Sequence, residues 1–172
     1  TDAIEALPVP TICLIKGFCI GGGCELTLAA DVRIAADNGR FGIPAARLGI
    51  VIGHREMRRL VRLAGPGNAS YLLLSGRIID AVEALRMGLV NAVVPLAESE
   101  GYVHELAREM ADLAPLSHRQ HKQIMRKYVL DPSLETLTLE EEGLPFANFD
   151  SDDFHEGRRA FLERRKPDFK GR

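Results

Sequence analysis

Three consecutive glycines, Gly21-Gly22-Gly23, run directly into Cys24-Glu25-Leu26, and this junction restricts the fold of the chain more than any other feature. A strand-like apolar run, residues 10–16, leads up to it, and small and apolar residues from Leu26 to Ala30 follow. Without Cβ atoms the backbone can turn sharply, and a ligand can approach the main chain. A helix opening here leaves its first N–H groups unpaired at the positive end of its dipole. Such donors suit an anion, or an oxygen that becomes one during reaction. Glu25 adds a carboxylate in that first turn.

The common glycine motifs do not fit. Gly17 and Gly22 have the spacing of a P-loop, but Gly23 stands where lysine is required. A dinucleotide fingerprint beginning at Gly21 and Gly23 needs a third glycine at Leu26. On motif chemistry alone, a strand-to-helix turn with a capping carboxylate is an equally good account.

The surroundings separate these accounts. The run from Pro10 through Lys16-Gly17-Phe18-Cys19-Ile20 to Gly23-Cys24-Glu25-Leu26 resembles the signature of the crotonase superfamily, the enoyl-CoA hydratases and isomerases. Asp31 to Asp37, Phe41-Gly42-Ile43-Pro44 and Leu48-Gly49 continue the resemblance in register. Leu74 to Arg77, Ala84 to Val90 and the ending from Glu156-Gly157 to Gly171 extend it along essentially the whole chain.

The resemblance implies an α/β fold: a crotonase-like ββα spiral, of which only the later turns are present, followed by a C-terminal helical oligomerisation segment. It places the spiral core in residues 1–115 and the helical trimerisation segment in 116–172. Family members carry further strands and helices ahead of the position of Thr1. Thr1 to Leu7 reads as the end of a helix, so the expectation is a chain lacking the first part of the acyl-CoA pocket.

Composition is compatible with this. Apolar residues make up 46% of the 172 and charged residues 27%, ordinary values for a globular protein. A net charge of −2 provides no global field for nucleic acid or an anionic membrane. No apolar stretch has the length of a membrane span, and no signal peptide is visible. Cys13, Cys19 and Cys24 are odd in number and lack zinc-ligand spacing, so they read as reduced thiols of a cytoplasmic protein with no metal site.

Local patterns predict a strand over 10–16, a short helix over 24–30, a strand at Val32–Ala36, a turn at Asp37–Gly39 and a strand at Val90–Val94. Strand–helix alternation points to mainly parallel sheets. Asp80 and Glu83 have capping-box spacing, with Gly88 closing that helix. Helical periodicity runs through Val103, Leu106, Met110 and Leu113, and again through Ile124 to Val129, with Pro115 between. Asp152-Asp153 opens a last helix and Arg164-Arg165-Lys166 closes it. Arg55, Arg58, Arg59 and Arg62 form a basic stripe that reads as a solvated face; CoA phosphate, a subunit interface and nucleic acid are the alternatives.

The resemblance implies stabilisation of a thioester enolate in an oxyanion hole. One donor matches the N–H of Gly22, within the loop Gly21, Gly22 and Gly23. Glu25 matches a general acid/base. At the position of the second family glutamate this chain has Ala45, which cannot carry a proton. After Leu48-Gly49 the chain keeps Gly53 and continues His54-Arg55-Glu56. His54 or Glu56 is a candidate replacement; the alternatives are that His54 caps the helix and that Glu56 is solvated or pairs with an arginine. Phe161 and Arg164 match residues that contact CoA bound to a neighbouring subunit, in a trimer or a dimer of trimers. The expected substrate is an acyl-CoA, with no cofactor beyond the thioester. The leading reading is a hydratase/isomerase-type enzyme. A CoA thioester hydrolase or decarboxylase, and a non-catalytic acyl-CoA-binding protein, remain as alternatives.

Overall fold

The computed structural model describes residues 1–172. It divides into one unit of Thr1–Leu7 with Thr11–Glu105, and a second of Pro8–Pro10 with Leu106–Arg172. In chain order the first unit holds α1 (Asp2–Glu5), β1 (Ile12–Ile15), β2 (Phe18–Ile20), α2 (Gly22–Thr27), β3 (Val32–Ala36) and β4 (Arg40–Gly42). A 3-10 turn (Ala45–Leu48), α3 (His54–Ser75), β5 (Ile79–Asp80), α4 (Ala81–Arg86) and β6 (Ala92–Val94) follow.

Its strands form two three-stranded sheets. In one, β3 lies between β1 and β6, both parallel to it. In the other, β4 is parallel to β2 and antiparallel to β5. The first four strands thus enter the two sheets alternately, β5 then joins β4 and β6 joins β3, giving a mixed α/β fold.

The residues that bind these layers are easily named. Ile15, Phe41, Ile43, Leu28, Leu60 and Leu72 are buried in one core with Met87 and Leu89. Each fully buried side chain of this kind stabilises by about 1.5–3 kcal/mol. Asp31 Oδ2 accepts from the N–H and hydroxyl of Thr11 at 2.7 and 2.8 Å, tying the start of β1 to that of β3. The Arg33 side chain is buried and donates to the carbonyls of Ala30 (2.7 Å) and Leu89 (2.8 Å), so its polar atoms are satisfied inside the fold.

Three local expectations need adjustment. The helix expected over 24–30 starts at Gly22 and ends at Thr27, because its first turn uses the glycines themselves. Asp80 does cap α4, accepting from the Glu83 N–H at 2.8 Å, but Glu83 turns to Arg86 instead of closing the box. The basic stripe of α3 is a solvated face only in part: Arg55, Arg58 and Arg62 are exposed, but Arg59 is not. Arg59 is 1% exposed and bonds Asp2, Glu5 and Glu56, while Arg55 pairs with Asp2 and Arg62 with Glu5. The acidic side of α1 converts the stripe into a docking surface. Gly65, at φ 75° and ψ 162°, interrupts α3 just before Pro66.

α5 (Ser99–Ala111) leads from the first unit into the second. There α6 (Pro115–Leu130), α7 (Leu139–Gly143) and α8 (Asp152–Glu163) follow without strands. Buried Asp153 accepts from the N–H groups of Lys170 (2.7 Å) and Gly171 (3.0 Å), fastening the chain end to α8. Glu156 takes two bonds from Arg165 and one from the Asp168 N–H. No helix is long and apolar enough to cross a membrane.

Candidate active site

The parallel register of β2 and β4 builds the site. Ile20 lies opposite Gly42, so the chain leaves both strands at the same end of the sheet. From β2 it enters Gly21 and α2; from β4 it enters Ile43, Pro44 and the turn beginning at Ala45. The Gly21 N–H donates to the Gly42 carbonyl at 2.8 Å and locks the two exits together.

Gly21 is the N-cap of α2 at φ 57° and ψ −126°, a conformation that glycine alone adopts without strain. Gly22 and Gly23 are needed for a different reason. A Cβ on either would meet no atom within 4 Å, so the glycines leave open space over the first turn of the helix. The N–H groups of that turn have no partner within α2. Behind them, Cys24 is buried, and Thr27 donates its hydroxyl to the Cys24 carbonyl at 2.8 Å. The hydrogen bond between Cys24 and Cys19, together with burial, holds the Cys24 thiol well above its usual range, so it stays protonated. All three cysteines are free.

Glu25 is half-buried, and no group in the chain donates a hydrogen bond to its carboxyl. Burial raises its proton affinity, and the negative charge of Glu56 raises it further. A carboxyl that is free of internal donors and holds its proton more tightly than usual is suited to exchanging protons with a ligand.

The other candidates fall as follows. Ala45 opens the 3-10 turn, half-buried against the core, with its N–H on the Ile43 carbonyl at 2.9 Å. Gly53 is the N-cap of α3, so His54, exposed at the first helical position, does not cap it. Glu56 accepts from Arg59 at 3.2 Å and from the Thr1 hydroxyl at 3.1 Å. Of the two, Glu56 is brought into electrostatic range of Glu25. In the second unit Phe161 is 83% exposed on α8, and Arg164 is its left-handed C-cap at φ 55°. Arg165, not Arg164, is the residue engaged by Glu156.

With this arrangement in view, comparison with known proteins is decisive. The family model for enoyl-CoA hydratase/isomerase matches residues 1–172. The chain belongs to the enoyl-CoA hydratase/isomerase family. It is 39% identical over 169 residues to the 2,3-dehydroadipyl-CoA hydratase of Escherichia coli K12, covering 98% of this chain and 66% of that protein. It is 40% identical over 168 residues to the crotonyl-CoA hydratase of Syntrophomonas wolfei, covering 96% of this chain and 64% of that one. Among solved structures, an enoyl-CoA hydratase/carnithine racemase from Magnetospirillum magneticum superposes with a TM-score of 0.94 at 37% identity, over 99% of this chain and 63% of that one. The chain thus spans slightly less than two thirds of the length of these family members.

Sequence reasoning missed the part played by Arg59, Asp2 and Glu5. Two acids three residues apart in α1, facing arginines three and four apart in α3, were the available signal.

Proposed function

We propose that this chain carries the proton-transfer half of an acyl-CoA enzyme of the hydratase/isomerase type. The observation that supports this most directly is Glu25: half-buried, without an internal donor, raised in proton affinity, and three residues past Gly22 in the open first turn of α2.

In this reading the thioester oxygen accepts a hydrogen bond from the Gly22 N–H, and the negative charge that develops on it is stabilised there. One such donor contributes about 3–4 kcal/mol to a transition state. Glu25 exchanges a proton with the carbon next to the thioester. Phe161 and Arg164 of a neighbouring subunit would contact the CoA portion, within a trimer or a dimer of trimers built through the helices of residues 116–172. The two sheets would be the later turns of a ββα spiral. The reaction would need no cofactor beyond the CoA thioester.

Ala45 favours a second reading. Hydration needs a group to activate water as well as a proton for the α carbon, and a methyl group supplies neither. A crotonase-like thioester hydrolase or decarboxylase is the alternative that this substitution supports.

The test follows loss of enoyl-thioester absorbance from crotonyl-CoA and release of free CoA thiol in parallel, with the full-length protein. Glu25→Gln is expected to lower turnover about 100-fold or more. Ala45→Glu is expected to raise hydration above both wild type and Ala45→Gln. CoA release without hydration would establish the hydrolase form of the second reading. Turnover unaffected by Glu25→Gln would remove Glu25 from the mechanism.

A further inference from the structure

The turn between β3 and β4 contains Asn38-Gly39, a pair that the proposed reaction leaves unused. Asparagine before glycine is the pair most open to self-deamidation, because no Cβ shields the glycine nitrogen from the side-chain amide. Packing demands the glycine. Gly39 is buried, and a Cβ there would stand 2.9 Å from Phe41 Cε2 and 3.0 Å from the Ala36 carbonyl oxygen. Hydrogen bonding occupies the asparagine. Asn38 Oδ1 accepts from the Gly17 N–H at 3.1 Å, and the Gly17 carbonyl accepts from the Arg40 N–H at 2.9 Å. Gly17 precedes β2 and Arg40 opens β4. These two bonds therefore join the starts of the strands whose far ends lead into Gly21 and Ala45.

The same contacts leave the amide open to attack. Asn38 is exposed, and nothing in the chain accepts from its Nδ2. The Gly17 N–H donates to the oxygen on which negative charge builds when Cγ is attacked, which favours the attack. One bond opposes it. The Gly39 N–H donates to the Ala36 carbonyl at 2.9 Å, and the nitrogen must leave that bond before it reacts. A single bond of this kind restrains an equilibrium by about tenfold or less. Asn68, Asn91 and Asn148 are followed by Ala69, Ala92 and Phe149, whose side chains crowd the attacking nitrogen.

We propose that Asn38 is a deamidation site of the folded protein, and that its isoaspartyl product disconnects β4 from β2. The Gly39 main-chain nitrogen bonds to Asn38 Cγ and gives up its proton. The Cγ–Nδ2 bond breaks, and Nδ2 departs as ammonia with that proton. Water then opens the succinimide ring; no electron is transferred. Opening at Cγ leaves an ordinary aspartate, which keeps an oxygen for the Gly17 N–H. Opening at the main-chain carbonyl leaves isoaspartate, with an extra methylene in the chain. That methylene lengthens a turn in which Gly39 already lies against Phe41 and Ala36. Either product also adds a carboxylate beside Asp37, whose Oδ1 accepts from the Leu96 N–H at 3.1 Å.

The experiment incubates the full-length protein at mildly alkaline pH, natively and in urea. Peptide mass mapping follows the replacement of the Asn38 NH2 by OH, and a protease that cuts before aspartate but not isoaspartate separates the products. Deamidation is expected at Asn38 ahead of Asn68, Asn91 and Asn148, at a native rate within about tenfold of the unfolded one. Protein aged to isoaspartate is expected to melt below both fresh protein and Asn38→Asp, which carries the same added charge. Asn38→Ser cannot form the ring and should keep its melting temperature through the same incubation. A native rate about 100-fold or more below the unfolded one, or earlier reaction at another asparagine, would overturn the site. Isoaspartyl protein that melts with Asn38→Asp, or equal losses on ageing in Asn38→Ser and wild type, would overturn the disconnection of the strands.

Discussion

Arg59 grips Glu5 twice: Nε and Nη2 of the arginine reach the same oxygen, Oε2, at 3.1 and 2.6 Å. The guanidinium is 1% exposed, so this contact fastens α1 to α3 inside the fold. Arg58, adjacent in the chain, and Arg62, about one turn on, approach the same carboxylate. Removing one member of a buried ionic cluster is costly because the others remain desolvated and incompletely paired.

This contact leads to a prediction for stability and its pH dependence. Burial by itself would raise the Glu5 carboxyl, but the Arg59 bond and the charges of Arg59, Arg62 and Arg58 reverse this and hold it below its ordinary value of 4.5. A depressed carboxyl contributes stability above its unfolded value, and that contribution is lost as pH falls through the folded value. Glu5→Gln is expected to cost about 1.5–3 kcal/mol at neutral pH, the usual range for hydrogen bonds to charged groups. The difference from wild type should shrink in acid. Urea denaturation at neutral pH and at about pH 4 measures both. An equal loss at the two pH values would show that the contact is not ionic.

Glu25 carries the opposite sign. Its folded proton affinity is raised above the ordinary value of 4.5, by burial first and Glu56 second. Ionised Glu25 therefore opposes folding, and stability falls as pH rises from the unfolded value through the folded one. Glu25→Gln is expected to melt higher than wild type at neutral pH and no higher at about pH 4. Calorimetric scans at the two pH values provide the comparison. Thermal stability unchanged at neutral pH would mean that the carboxyl is better solvated than its burial implies.

The adjoining glycines should fail in different ways. At Gly21, φ 57° and ψ −126° exclude an L side chain without strain, so Gly21→Ala is expected to cost about 1–3 kcal/mol of stability. At Gly22 a Cβ meets nothing within 4 Å, so Gly22→Ala should fold with little change. If that empty space belongs to an acyl thioester, Gly22→Ala should instead weaken acyl-CoA binding. Thermal melts with calorimetric titration of a non-hydrolysable acyl-CoA analogue separate the two effects. Equal behaviour of both variants in both assays would contradict this division.

Much of the frame was legible in residue order because it depends on local rules. Val32–Ala36 is a strand with the boundaries its apolar run predicts, and it lies between two parallel neighbours. The C-terminal helices begin and end at the proline, acidic and basic residues that mark such boundaries. Glycines that abut a carboxylate at a strand-to-helix junction announce themselves by spacing, whereas the alanine after Pro44 stands out only through the family resemblance. What residue order could not supply was the outcome of competition between partners distant along the chain. Arg59 looks like one charge in a solvated row until α1 covers it with Asp2 and Glu5. Glu56 and Glu25 are chemically the same side chain. Only the fold gives one of them an arginine, a hydroxyl and a backbone N–H while leaving the other half-buried without a donor. Proton affinity follows from desolvation and neighbouring charge, and both are set by packing in three dimensions.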